Sequence, residues 1–252
     1  MNPARLFSLL LLSCSIAGAQ VQFHFGVTGG VPLTDTLSSS SSSYASGNPP
    51  NSSFDRYHSV TKRLLVGPVL RVDLPRGLGL EFDALYQRVN YDHATSNSQP
   101  SYFYQSFEQG TGNRWQFPLL VQYHWALSGA RLFVEAGPSI SRIANGRSTI
   151  SSITVNGPSS SSSASTAQGL GGTLAGITVG GGIDIPVFGH HLRPEVRYSH
   201  WFSPTGTGGF PSGVWISSLG NPVAVYSLVP GTGFSSFRTT QDEASFQLGL
   251  TF

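Results

Sequence analysis

Eight segments of this chain alternate apolar and other residues with a period of two, and charge stays off the apolar face. They run approximately over 21–33, 64–74, 78–91, 114–125, 131–143, 173–187, 192–202 and 245–252. Successive side chains of a strand point to opposite faces, so each segment reads as a strand with two unlike sides. One side is apolar: Val66, Leu70 and Val72 in the second segment, Trp115, Phe117, Leu119, Val121, Tyr123 and Trp125 in the fourth, Phe246, Leu248, Leu250 and Phe252 in the last. The other carries Arg71, Asp73, Glu81, Asp83, Gln87, Arg114, Gln122, His124, Arg131, Glu135, Asp184, Arg193, Glu195, Arg197 and Gln247, with His24 from the first segment.

Such strands suit either a soluble sandwich with its apolar side inward or a barrel turned inside out. The connections choose between them. Short turns near 75–77, 126–130 and 188–191 alternate strictly with long segments near 34–63, 92–113, 144–172 and 203–240, the habit of barrels that cross a membrane. Each segment has about the nine to eleven residues a tilted strand needs to span a bilayer, the last if it starts near Gln241. Aromatic residues gather near strand ends, with Tyr86, Tyr91, Trp115 and Phe202 toward the long connections and Trp125, Phe188 and Phe252 toward the short ones. Rings with one apolar and one polar edge settle at a membrane interface. No apolar run reaches the eighteen or so residues of a membrane helix.

Composition agrees. Only 10% of the residues are charged, against roughly 25% in an ordinary soluble domain. A net charge of +2 with scattered basic residues excludes a nucleic-acid surface. Arg5, the apolar run Leu6 to Leu12 and the small residues Ala17-Gly18-Ala19 form an export signal, which assigns residues 1–19 to a signal peptide and 20–252 to one β-domain. The rival, a lipoprotein signal ending at Cys14, would leave a lipid on that residue. Cleavage after Ala19 removes Cys14, so no disulfide or thiol chemistry is expected.

The ending Ala244-Ser245-Phe246-Gln247-Leu248-Gly249-Leu250-Thr251-Phe252 alternates perfectly and closes on an aromatic residue. It resembles the terminal strand that the barrel-assembly machinery reads in bacterial outer-membrane proteins. In strand count and layout the chain from residue 20 resembles the small outer-membrane β-barrels of the OmpA transmembrane-domain and OmpX type. That resemblance implies an eight-stranded antiparallel transmembrane barrel in the outer membrane of a Gram-negative-type bacterium, with three short periplasmic turns and four long extracellular loops. Its neighbours would be outer-membrane lipid and the assembly machinery; a loop partner is unknown.

An eight-stranded barrel is narrow enough for side chains to fill. The expected lumen network is Arg71, Asp73, Glu81, Asp83, Arg114, Arg131, Glu135, Asp184, Arg193, Glu195 and Arg197, nearly balanced in sign, as pairing of buried charges requires. Gly180-Gly181-Gly182 would give room to bulky lumen neighbours. No catalytic, cofactor or metal site is expected: His190-His191 sits in a turn without further ligands at suitable spacing, and His24 and His124 would meet only among arginines. The enzymatic alternative is a lipid A deacylase-like barrel using His200 and Ser203, although their spacing puts them on opposite faces and Pro204 replaces the usual Asn. A narrow solute channel is a third possibility. The serine runs Ser38–Ser43 and Ser159–Ser163 suggest mobile loops, and Val214-Trp215-Ile216 and Val223–Val229 suggest an apolar hairpin in the last one.

Overall fold

The computed structural model describes residues 21–48, 51–60, 62–168, 172–202 and 239–252. The export signal with Cys14, and Ser203, Pro204, Trp215 and the 223–229 stretch, lie outside the described residues. Among the described residues, twelve strands form one antiparallel sheet: β1 (Gln22–Pro32), β2 (Ser40–Ser46), β3 (Asn51–Ser59), β4 (Leu65–Asp73), β5 (Leu78–Asp83), β6 (Leu85–Gln99), β7 (Tyr102–Leu127), β8 (Ala130–Asn156), β9 (Ser159–Gln168), β10 (Gly172–Val187), β11 (His190–Trp201) and β12 (Asp242–Thr251).

The sheet closes on itself because β1 pairs on both sides, with Val27 opposite Leu250 of β12 and Pro68 of β4. Around the ring the order is β1, β4, β5 continued by β6, β7, β8, β10, β11, β12. β5 and β6 occupy one ring position, interrupted at Ala84, whose N–H donates to Pro68 O at 3.1 Å. The ring thus has eight positions, and closure leaves it no free edge. The Phe188-Gly189 connection shows how tightly its short turns are built. Both residues have positive φ, 49° and 82°, the backbone of a two-residue turn that matches strand twist.

At the opposite end the structure departs from the expected loops. β6 and β7 continue far past the ring to a turn at Pro100-Ser101, and β8 runs on to Asn156 before returning as β9. With the β2–β3 hairpin they make a six-stranded extension ordered β2-β3-β6-β7-β8-β9. The two serine runs, expected to be mobile, are its edge strands. Serine is short and uncharged, and a ladder with one neighbour satisfies backbone groups that a loop would leave to water. The ladder between β8 and β9 is reinforced by Ser152 Oγ and Ser163 Oγ, 2.8 Å apart.

Faces follow sequence parity. Phe23, Phe25, Val27, Leu119, Val121, Val134 and Val196 are exposed outside the ring, whereas Arg71, Glu81, Asp83, Arg114 and Asp184 are buried inside it. Tyr91 corrects the expected aromatic girdle: it is in phase with Glu81 and Gln87 and points inward, at 1% exposure. There it packs with Leu37, Val89 and Ile143, with Tyr57 beside them. The chain after β1 turns in over the lumen, where Thr36 and Leu37 are buried and Leu37 bridges Thr239.

Candidate functional site

The lumen is spanned by ion pairs in three layers, and in each layer partners come from strands four positions apart in the eight-position ring, which is diametrically opposite. Nearest the short turns, Arg71 of β4 donates to Asp184 of β10 at 3.0 Å. Arg131 joins the same layer, donating to Asp73 at 3.1 Å and Asp184 at 2.8 Å. In the middle, Glu81 of β5 accepts from Arg193 and Arg197 of β11. Arg197 also donates to Asp83, to Glu135 at 2.7 Å, and stands 2.9 Å from Glu195. Gln122 donates to both Glu81 and Glu135 at 2.8 Å. Nearest the extension, Arg114 of β7 donates to Glu243 of β12 at 2.8 Å, to Ser141 at 2.7 Å and to Thr36 at 3.1 Å.

All eleven charged residues expected in the lumen lie inside the ring, though Arg131 is one third exposed at the mouth. Two members were missed. Glu243 is in phase with Gln247, so carrying the alternation back along β12 would have found it. Thr36 carried no such signal, because it follows the strand and bends inward. Two guanidinium groups are stacked as well as paired: that of Arg193 lies over the Phe133 ring at 4.2 Å and that of Arg114 over Trp201 at 5.3 Å.

The histidines are placed differently from expectation. His24 packs on His191, ring centroids 5.4 Å apart, and His124 on Phe133 at 5.7 Å. The adjacent pair splits, with His191 Nδ1 2.6 Å from Asp184 Oδ1 and His190 edge-on to Phe252. His124 lines a cavity of about 410 Å³ at the short-turn mouth together with Gln22, Asp73, Arg76 and Arg131.

On the outer face near the extension, His200 Nδ1 lies 2.8 Å from Asp242 Oδ1, and Tyr198 donates to the same oxygen at 2.5 Å. All three are exposed. Ser199, between them in sequence, points inward to Thr178 at 2.7 Å. A further polar cluster sits within the extension. His93 stacks on Tyr57 at 3.9 Å, lies 2.9 Å from Asp55 and 3.6 Å from Glu108, and Glu108 accepts from Tyr91 at 2.7 Å. Burial opposes charge on His93, but hydrogen bonds to Glu108 and Asp55 outweigh it and hold the imidazole above its ordinary pKa.

A closed antiparallel ring, apolar outside and ionic inside, defines a membrane β-barrel. The family model described as outer membrane protein beta-barrel domain matches residues 18–205, and the chain belongs to that family. Among solved structures it is similar to Neisserial surface protein A, at 14% identity over 92% of this chain and 99% of that one, TM-score 0.32. It is also similar to OmpT, an outer membrane protein of Vibrio cholerae, at 7% identity over 93% and 99%, TM-score 0.15. No curated protein matches it.

Proposed function

We propose that this protein is a non-enzymatic integral barrel of the outer membrane. It crosses with the eight ring positions, its three short turns lie in the periplasm, and the four long connections with the six-stranded extension face the exterior. The observation that carries this reading is the height of the outer apolar band. On β7 it runs from Trp115 to Trp125; ten steps of roughly 3.3 Å, tilted by about 40°, rise about 25 Å, the height of the lipid-facing band of such barrels. Arg142, directly opposite Trp115, and Arg88, opposite Asn113 just beyond it, are exposed on the outer face, where guanidinium groups can reach lipid headgroups. The strand ending at Phe252 is the segment offered to the assembly machinery.

The cross-lumen pairs favour an anchor over a pore. Purified protein in planar bilayers is expected to give no conductance steps; regular steps would count for the channel instead. One observation favours a second reading, an enzyme acting on outer-leaflet lipid. Asp242 fixes the orientation of His200 at the membrane-facing rim, as an acid does for a histidine base. Lipid A from cells making the wild type and His200→Ala, compared by mass spectrometry, should be identical. A change that disappears with His200→Ala would establish the enzyme.

A further inference from the structure

Among the described residues, the charges of the lumen do not balance. Five arginines, Arg71, Arg114, Arg131, Arg193 and Arg197, face seven carboxylates, Asp73, Glu81, Asp83, Glu135, Asp184, Glu195 and Glu243. The excess is confined to one layer. Near the short turns Arg71 and Arg131 match Asp73 and Asp184, and near the extension Arg114 matches Glu243. Among the described residues, only Arg193 and Arg197 serve Glu81, Asp83, Glu135 and Glu195 in the middle. The other described strands packed against this layer bring no compensating cation. β10 contributes Gly180 and Gly182, β7 Gln122 and β12 Gln247, while Arg71, from β4, is already held by Asp73 and Asp184. His24, His124 and His191 belong to the matched layer near the short turns.

Two features show how closely the carboxylates are gathered. One oxygen each of Glu81, Glu135 and Glu195 lies within 4.8 Å of the others. A β-carbon at Gly180 would fall 2.7 Å from Glu135 Oε1, and one at Gly182 2.8 Å from Glu195 Cβ, so the glycine run gives these carboxylates their space. Polar atoms of both kinds are left without a hydrogen-bond partner here, Gln122 Oε1 and Asp83 Oδ1 among the acceptors and Arg193 Nε and Nη2 among the donors, so the excess of negative charge rests on the count of carboxylates against arginines. Two uncompensated negative charges buried in the lumen cost far more than any single contact returns.

We propose that the middle layer takes up two further positive charges as the barrel folds, held among Glu81, Asp83, Glu135 and Glu195. Closely spaced carboxylates can share protons, and three glutamates with one oxygen each within 4.8 Å of the others also suit one hard divalent cation. The shared chemistry is exchangeable positive charge. The inference builds on the plugged-lumen reading, so it is tested only on protein that migrates as a folded barrel.

The experiment refolds urea-denatured protein into detergent at neutral pH with weak buffering. It records proton uptake by pH-stat and bound calcium by elemental analysis, with and without chelator. Wild type minus Glu195→Gln isolates the layer from histidines elsewhere. Wild type should take up one proton more than Glu195→Gln, or else retain a calcium ion that Glu195→Gln does not, and Asp184→Asn should show no such deficit. Uptake that persists in chelator assigns protons; uptake as retained calcium, lost in chelator, assigns the metal. Thermal unfolding gives the second reading. Glu195→Gln should melt at or above the wild-type temperature, whereas Asp184→Asn, from a matched layer, should melt below it. Should Glu195→Gln fail to fold, Glu135→Gln takes its place in both readings. Equal uptake by variant and wild type, with Glu195→Gln as damaging as Asp184→Asn, would overturn the proposal.

Discussion

Arg114 and Glu243 meet at 2.8 Å across the full width of the barrel, from the fourth ring position to the eighth. Both side chains are nearly sealed from solvent. A buried pair of this kind is worth little against an apolar substitute, but losing one partner strands the other charge, at about 3–5 kcal/mol. Glu243→Ala should therefore lower the urea midpoint strongly, and Arg114→Leu with Glu243→Leu should recover most of the loss. A double variant no better than the single one would mean that the pair is a surface contact in solution.

Gly110 fits against the inward-facing Tyr91 so closely that a β-carbon would fall 1.9 Å from the ring Cε1. Gly110→Ala should cost about 1–3 kcal/mol, as overpacking does. The damage should appear as faster proteolysis of the extension, with the membrane-embedded ring left intact. Tyr91→Ala should restore protection. Equal proteolysis of Gly110→Ala and wild type would contradict this packing.

His93 sits in the extension, where solution pH reaches it. Its pKa is raised, so its contribution is fully present below its unfolded value of about 6.5 and is lost as pH rises through the folded value. Glu108 behaves oppositely. Burial works against its charge, yet the neighbouring His93 and the Tyr91 hydroxyl that donates to it hold its pKa below the ordinary range, so its contribution disappears as pH falls through that lowered value. The extension should resist protease best in mildly acidic solution and loosen toward alkaline pH. In His93→Gln the alkaline loss should be absent, and an unchanged pH profile would exclude this cluster as its cause.

Parity made the ring legible in the sequence. Once Trp115 to Trp125 fixed one face of β7, Arg114 and Gln122 had to lie on the other, and the same step placed Arg71, Glu81 and Arg197. Tyr91 departs from the expected girdle because its phase, shared with Glu81 and Gln87, decides its direction and its aromatic character does not. The extension was invisible because serine states no preference between strand and loop: Ser40–Ser46 is a strand only through its pairing with Asn51–Ser59. The layering of the charges was equally hidden. It depends on which strands face one another across the lumen, and alternation along single strands does not record that.

The central claim, a closed barrel in the outer membrane, is tested most directly by heat-modifiability. Outer-membrane fractions are run on denaturing gels with and without boiling. The account predicts a band in that fraction that migrates at one position unboiled and shifts on boiling, because a ring closed by β1 with β12 and β4 resists detergent until heated. A soluble periplasmic protein that shows no shift would contradict it, and would mean that the charged face meets water.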